Sequence, residues 1–295
     1  MLKIGKKSKT LAVAVLTVVA VWLAVSAFVA WKFTRRSREP FAEPAPNVAW
    51  AKLETVRLKT CDNQRIGGWL ACGEADKPCV LLLHGNGDSR SGMLPVMQHL
   101  AEAKFTVLAI SLRAHGDSSG DINDIGWSAR HDVVAAVSFL REKFTERPIF
   151  VVGRSLGAAA AIFAAEEVKN DVAGYFLEQP YKDLESAVWN RLEHNLPPVF
   201  DWVAYAGLRL WAPVFLPVAP EQISPYAHIA AIPQNVPVVF VTGSADRHTR
   251  LDDVKSLVAR VSSHAKLVIF EGAAHISLDQ NNPKLYWATL FQLLK

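Results

Sequence analysis

The segment Gly153-Arg154-Ser155-Leu156-Gly157 follows the apolar run Pro148–Val152 and leads into the Ala-rich stretch 156–165. A serine on a tight strand-to-helix turn needs small neighbours at both flanking alternate positions, because side chains there collide with the backbone. Such a turn leaves the hydroxyl exposed above a sheet, at a helix N-terminus. The hydroxyl becomes a useful nucleophile only when a base takes its proton. Of the nine histidines, His275 is the best base, set in Gly272-Ala273-Ala274-His275 past the last strand-like run. His99 and His131 fall on predicted helices, His84 and His115 in glycine turns suited to structural hydrogen bonds, and His248 in a charged loop suited to solvent. The base needs a carboxylate to hold its tautomer and stabilise its imidazolium. Asp246, in Thr242-Gly243-Ser244-Ala245-Asp246, is the first acid beyond a strand end between Ser155 and His275. Asp252 and Asp253 read instead as first-turn acids of the following helix. For a tetrahedral intermediate, the backbone N–H groups of Asn86, in His84-Gly85-Asn86-Gly87, and of Leu156 are the expected oxyanion donors. Plainer readings stand beside these: a serine capping a glycine turn, and a simple glycine turn.

The elements that must position these groups alternate in type. Two short strands are expected near 53–60 and 65–71, then apolar strands at Val80–Leu83, Phe105–Ile110, Pro148–Val152, Ala173–Leu177, Val236–Val241 and Leu267–Phe270. Helical periods lie between them, as in Met93, Met97, Leu100 and in Val133, Val137, Leu140, and a terminal helix carries Tyr286, Leu290 and Leu293. Strands without polar alternation, each followed by a helix, predict an α/β fold with a parallel sheet covered on both faces. Ligands bind such sheets at the carboxyl ends of the strands, where each of the candidate residues falls.

With these stretches in hand the chain resembles the α/β-hydrolase superfamily, and within it the membrane-anchored α/β-hydrolase-domain, monoacylglycerol-lipase and serine-aminopeptidase-like group. The resemblance rests on His84–Gly87, Arg113-Ala114-His115-Gly116-Asp117-Ser118, Gly153–Gly157, Glu178-Gln179-Pro180-Tyr181, Gly243–Asp246 and Gly272–His275, in an order that spans about 53–295. It implies a mostly parallel eight-stranded sheet with helices on both faces and a cap insertion. It also implies a Ser155-Asp246-His275 triad, in the chain order of that scaffold, and no metal or organic cofactor. Two departures stand out. Ala114 replaces the usual glycine, and the acid loop continues Arg247-His248-Thr249 where the family ends in Val-Pro.

The chain of 295 residues is 51% hydrophobic and 20% charged, which excludes a disordered or collagen-like protein. Its net charge of +4 is unevenly spread: residues 1–38 hold eight Lys and Arg and no acid, leaving 24 basic against 28 acidic residues beyond. No nucleic-acid surface is supported. From Thr10 to Trp31 no charge interrupts 22 residues, long enough to cross a bilayer core of about 30 Å. Residues 1–38 therefore read as an uncleaved membrane anchor with basic flanks, spanning about 10–31. A cleaved signal peptide ending near Val25-Ser26-Ala27 is the competitor. The flanking charges nearly tie, four Lys before and four Lys or Arg after, with a slight tilt toward a catalytic domain outside the cytoplasm. Residues 39–52, with Pro40, Pro44 and Pro46, read as a stiff linker off the membrane, and 53–295 as the catalytic domain. Cys61 and Cys72 flank the first hairpin, where a pair in an oxidising compartment is the alternative; with Cys79, three small semi-buried thiols are the plainer and preferred reading.

Between 181 and 233 the strand–helix rhythm stops. Trp189, Phe200, Trp202, Tyr205, Trp211 and Phe215 lie there, as a greasy cap over the site or as packing onto the sheet. The reading that follows is a serine hydrolase of carboxylic esters or thioesters, acting on a small-molecule or lipid-like substrate. A peptidase on the same triad, with Glu185 or Glu193 receiving an amine, and a non-catalytic membrane-tethered binding protein are the alternatives.

Overall fold

The computed structural model describes residues 6–295, so Lys3 of the leading basic cluster lies outside the described residues. Helix α1 (Lys6–Phe33) comes first, followed by the hairpin of β1 (Leu53–Lys59) and β2 (Arg65–Ala71). Then come β3 (Cys79–Leu83), α2 (Leu94–Glu102), β4 (Thr106–Ile110), α3 (Arg130–Lys143), β5 (Ile149–Arg154), α4 (Leu156–Ala164) and β6 (Val172–Glu178). The segment after β6 forms α5 (Leu184–Asn195), α6 (Phe200–Phe215) and α7 (Pro225–His228). The chain closes with β7 (Val238–Gly243), α8 (Leu251–Arg260), β8 (Ala265–Phe270), α9 (Leu278–Asn281) and α10 (Pro283–Leu293). The eight strands form one sheet in the order β1-β2-β4-β3-β5-β6-β7-β8, antiparallel at β1–β2–β4 and parallel from β4 onward.

Every residue of β3, β4 and β7 is buried, which is why these runs carry no polar alternation. Successive side chains point to opposite faces of a strand and so feed two cores. Leu81, Leu83 and Val151 pack with Val133 and Leu140 of α3, Ala158 and Ala161 of α4, and Val254 and Leu257 of α8. Val80, Leu82 and Val152 pack with Met97 and Leu100 of α2 and Tyr286 and Leu290 of α10. Each fully buried Leu or Val contributes about 1.5–3 kcal/mol of apolar transfer, so both layers hold the strand ends in fixed register.

The cysteines keep the plainer, unpaired reading, and the segment after α1 departs from expectation. Cys61 and Cys72 are both exposed and free, and Cys79 is buried and free. Cys61 sits in the hairpin turn and Cys72 beyond the far end of β2, with seven strand residues between. At about 3.3 Å per residue that exceeds the reach of a disulfide several-fold, so the pairing is excluded. The segment after α1 does not stand off as a free spacer. Arg36 N–H donates to Asp121 O at 2.9 Å, Asn123 N–H donates to Thr34 O at 3.0 Å, and Arg35 bridges Ile122. Glu43 is only 5% exposed.

In α1 the run Lys9–Phe33 has mean hydropathy 2.6 and is almost wholly uncovered by the rest of the chain, long and apolar enough to cross a membrane. Its contact is with α6. Trp22 Nε1 donates to Val203 O at 3.1 Å, and Gly207 meets Ser26 so closely that any side chain at 207 would strike the Ser26 hydroxyl. The α6 aromatics do not all face the sheet. Phe200 and Trp202 are exposed, and the Trp202 ring lies tilted against Trp189 of α5, with centroids 4.6 Å apart.

Candidate active site

Ser155 sits between β5 and α4 with φ 49° and ψ −106°, a strained conformation for a residue with a Cβ. The two flanking glycines explain how the turn is tolerated. A Cβ on Gly153 would lie 2.7 Å from the backbone of Gly157 and Ala158, and one on Gly157 would lie 2.5 Å from Leu83 O. The Ser155 N–H is fixed by Glu178 O at 2.7 Å, and its side chain is turned to a histidine. His275 Nε2 lies 3.2 Å from Ser155 Oγ, and His275 Nδ1 lies 2.7 Å from Asp246 Oδ2. The structure thus brings Ser155, His275 and Asp246 from three strand ends into one hydrogen-bonded chain. A chain of this kind can take a hydroxyl proton, hold the resulting imidazolium and return the proton to a leaving group.

Asp246 is held from several sides. Its carboxylate accepts from His248 N–H at 2.8 Å, from Thr249 N–H at 2.9 Å and from Thr249 Oγ1 at 2.6 Å. Burial alone would raise its pKa. The hydrogen bonds from His275 and Thr249 outweigh burial and hold the carboxyl below its usual range. The departure Arg247-His248-Thr249 therefore supplies an extra donor to the acid. His248 is half-buried beside His275, with ring centroids 5.3 Å apart, rather than solvated. Burial and the neighbouring charges of Arg191 and His275 push its pKa down. Asp252 and Asp253 occupy the first turn of α8, as expected.

The turn His84–Gly87 runs beside the serine, where an added Cβ on Gly85 would be 3.8 Å from Ser155 Cβ. Leu156 opens α4, where a helix leaves its first N–H groups without internal acceptors. His84 is fully buried and pushed down to about 3 by burial and by His115. It is therefore neutral, with Nδ1 donating to Gly85 O at 2.7 Å and Nε2 accepting from Leu112 N–H at 2.9 Å. Ala114 holds φ 59° while buried, in the left-handed region that explains the glycine usual at this place.

One network under the site has no counterpart in the motif reading. Arg154 Nε donates to the fully buried Glu178 at 3.0 Å, Nη2 to Asp279 at 2.7 Å and Nη1 to Ser277 at 3.0 Å. Glu178 also accepts from Leu278 N–H at 3.1 Å and Tyr286 OH at 3.3 Å. Arg154 thereby ties the serine turn to residues just past His275. The available signal was two charged residues closing otherwise apolar strands. Arg154→Ala leaves Glu178 buried without its cation and is expected to cost about 3–5 kcal/mol, read as a lower urea midpoint.

The alpha/beta hydrolase family model matches residues 80–288. This chain belongs to the alpha/beta hydrolase family. The hydrolase is 26% identical to human monoglyceride lipase over 235 residues, 68% of this chain and 76% of that one. The esterase of Pyrococcus furiosus has the same fold, with TM-score 0.70 at 23% identity over 87% of this hydrolase and 98% of the esterase. A membrane phospholipase A aligns over 97% of this chain and 99% of its own at TM-score 0.57 and 20% identity.

Proposed function

We propose that this hydrolase is a membrane-anchored serine esterase or thioesterase that cleaves lipid-like acyl esters. The observation that carries the reading is the Ser155–His275–Asp246 chain at 3.2 and 2.7 Å, at the carboxyl ends of a parallel sheet. Ser155 Oγ attacks the acyl carbonyl as His275 Nε2 takes its proton. The N–H groups of Leu156 and Asn86 hold the oxyanion, and Asp246 stabilises the imidazolium. The intermediate collapses, the C–O or C–S bond breaks, and His275 protonates the departing alcohol or thiol. Water, deprotonated by His275, then attacks the acyl-enzyme and releases the acid and Ser155. Likeness to a monoglyceride lipase and the apolar α1 favour lipid substrates and a bilayer location.

The test is hydrolysis of p-nitrophenyl esters from acetyl to palmitoyl by the full chain in detergent, with the Ser155→Ala rate subtracted. Each added methylene buried in an acyl site contributes about 0.8 kcal/mol, so kcat/KM is expected to rise at least about tenfold from acetyl to octanoyl. A short-chain optimum would contradict the lipid assignment while leaving the esterase reading in place.

A further inference from the structure

The residues between α1 and β1 grip the proposed oxyanion loop from both sides. On one side lies the stretch 115–123. Asn123 Nδ2 donates to Asn86 Oδ1 at 2.7 Å, and Gly87 N–H donates to His115 Nε2 at 3.2 Å. That stretch is held in turn by Arg36. Its guanidinium donates to Gly116 O at 3.1 Å, to Gly120 O at 3.0 and 3.3 Å, and to Ser118 O. The Thr34 carbonyl holds the N–H of Asn123 itself. On the other side lie Ser89 and Arg90, just past Gly87. Ser89 Oγ donates to Glu43 Oε1 at 2.5 Å, Ser111 Oγ to Oε2 at 2.6 Å, and Arg90 pairs with Oε2 at 3.1 Å. Gly116 packs so tightly on this carboxylate that an added Cβ would lie 2.0 Å from Glu43 Oε2, so the two grips meet.

We propose that Thr34–Glu43 is a positioning strap for the oxyanion loop 84–87, acting through Asn123 and His115 on one shoulder and through Ser89 and Arg90 on the other. The inference rests on the catalytic reading above and adds residues to it. A linker that merely spaced a domain from its anchor would need no buried carboxylate and no guanidinium committed to three carbonyls. The strap begins one residue after α1 ends, so the seating of α1 and the aim of the Asn86 N–H are mechanically one unit. Arg36 and Glu43 touch no reacting atom; they act through Asn86.

The test uses the full chain in detergent micelles. Arg36→Ala and Asn123→Ala are each expected to lower kcat on p-nitrophenyl butyrate by roughly 10–30-fold, since small displacements of an oxyanion donor cost that much or more. KM should stay within about 2-fold, because the ground-state carbonyl gains little from the donor. Affinity for a trifluoromethyl ketone, which forms a tetrahedral adduct on serine, should fall in parallel with kcat. Arg36→Lys should recover part of the loss, and the double variant should lose little more than either single one. An unchanged kcat in Arg36→Ala, or a loss of kcat with unaltered ketone affinity, overturns the strap. If the wild-type chain shows no Ser155-dependent hydrolysis, the catalytic reading fails by itself. Hydrogen exchange then decides: faster exchange across 84–87 in Arg36→Ala upholds the strap, and unchanged exchange overturns it.

Discussion

Ser155→Ala is expected to lower kcat on p-nitrophenyl esters by a factor of about 10⁴–10⁶ while leaving the melting temperature within a few degrees of wild type. The size follows from the loss of covalent chemistry, since among the described residues no other hydroxyl is hydrogen-bonded to His275 Nε2, 3.2 Å from Ser155 Oγ. Thr249 Oγ1 lies on the other nitrogen, 3.5 Å from Nδ1 and bonded to Asp246, where it cannot deliver an oxygen to an acyl carbon above the serine. The fold should tolerate the change. The Ser155 N–H to Glu178 O bond is made by backbone, and alanine keeps it. The hydroxyl lost belongs to the proposed reaction and not to the packing, so removing that one atom is expected to cost about 1 kcal/mol. Esterase assays and a thermal melt on the same sample check both halves.

Asp246→Asn is expected to lower kcat by about 10⁴ with KM nearly unchanged. The asparagine amide presents a donor or a neutral acceptor where His275 Nδ1–H now meets a carboxylate at 2.7 Å. The imidazole then sits in the wrong tautomer, or its cation goes unstabilised as the proton arrives. The carboxyl sits below its usual range because its bonds to His275 and Thr249 outweigh burial. A depressed carboxylate stabilises the fold above its unfolded pKa, and the contribution is lost as pH falls through the folded value. Wild type should therefore lose an increment of stability in the acid range that Asp246→Asn lacks. Urea unfolding of both proteins across that range measures the difference.

Much of this was legible in the residues because the chemistry is local. A strained serine needs Gly153 and Gly157 within two positions, and a buried parallel strand needs an unbroken apolar run. Those demands are written over five to seven consecutive residues, which is why strand ends and the loops beyond them can be placed from sequence. The supports are different. Arg36 meets carbonyls 80 to 84 residues away, and Glu43 meets Ser111 at a separation of 68. Pairings of that range leave no periodicity, so a proline-spaced stretch reads as a linker although its carboxylate is buried. Arg154 with Glu178 is similar: each is a lone charge in an apolar context until the β5–β6 register sets them opposite one another. His248 reads as a solvated loop residue because its neighbours in the chain are charged, whereas the fold turns its ring toward His275. The α1–α6 contact through Ser26 and Gly207 is equally silent, since small residues in an apolar run carry no pattern of their own.

Whether Ser155 is the nucleophile is decided by treating the full chain with a fluorophosphonate and mapping the adduct by peptide mass spectrometry. With Ser155 as nucleophile, a single adduct is expected on the peptide containing it, absent in Ser155→Ala and far slower to form in Asp246→Asn. An adduct on another residue, or none on a folded protein, would contradict that assignment.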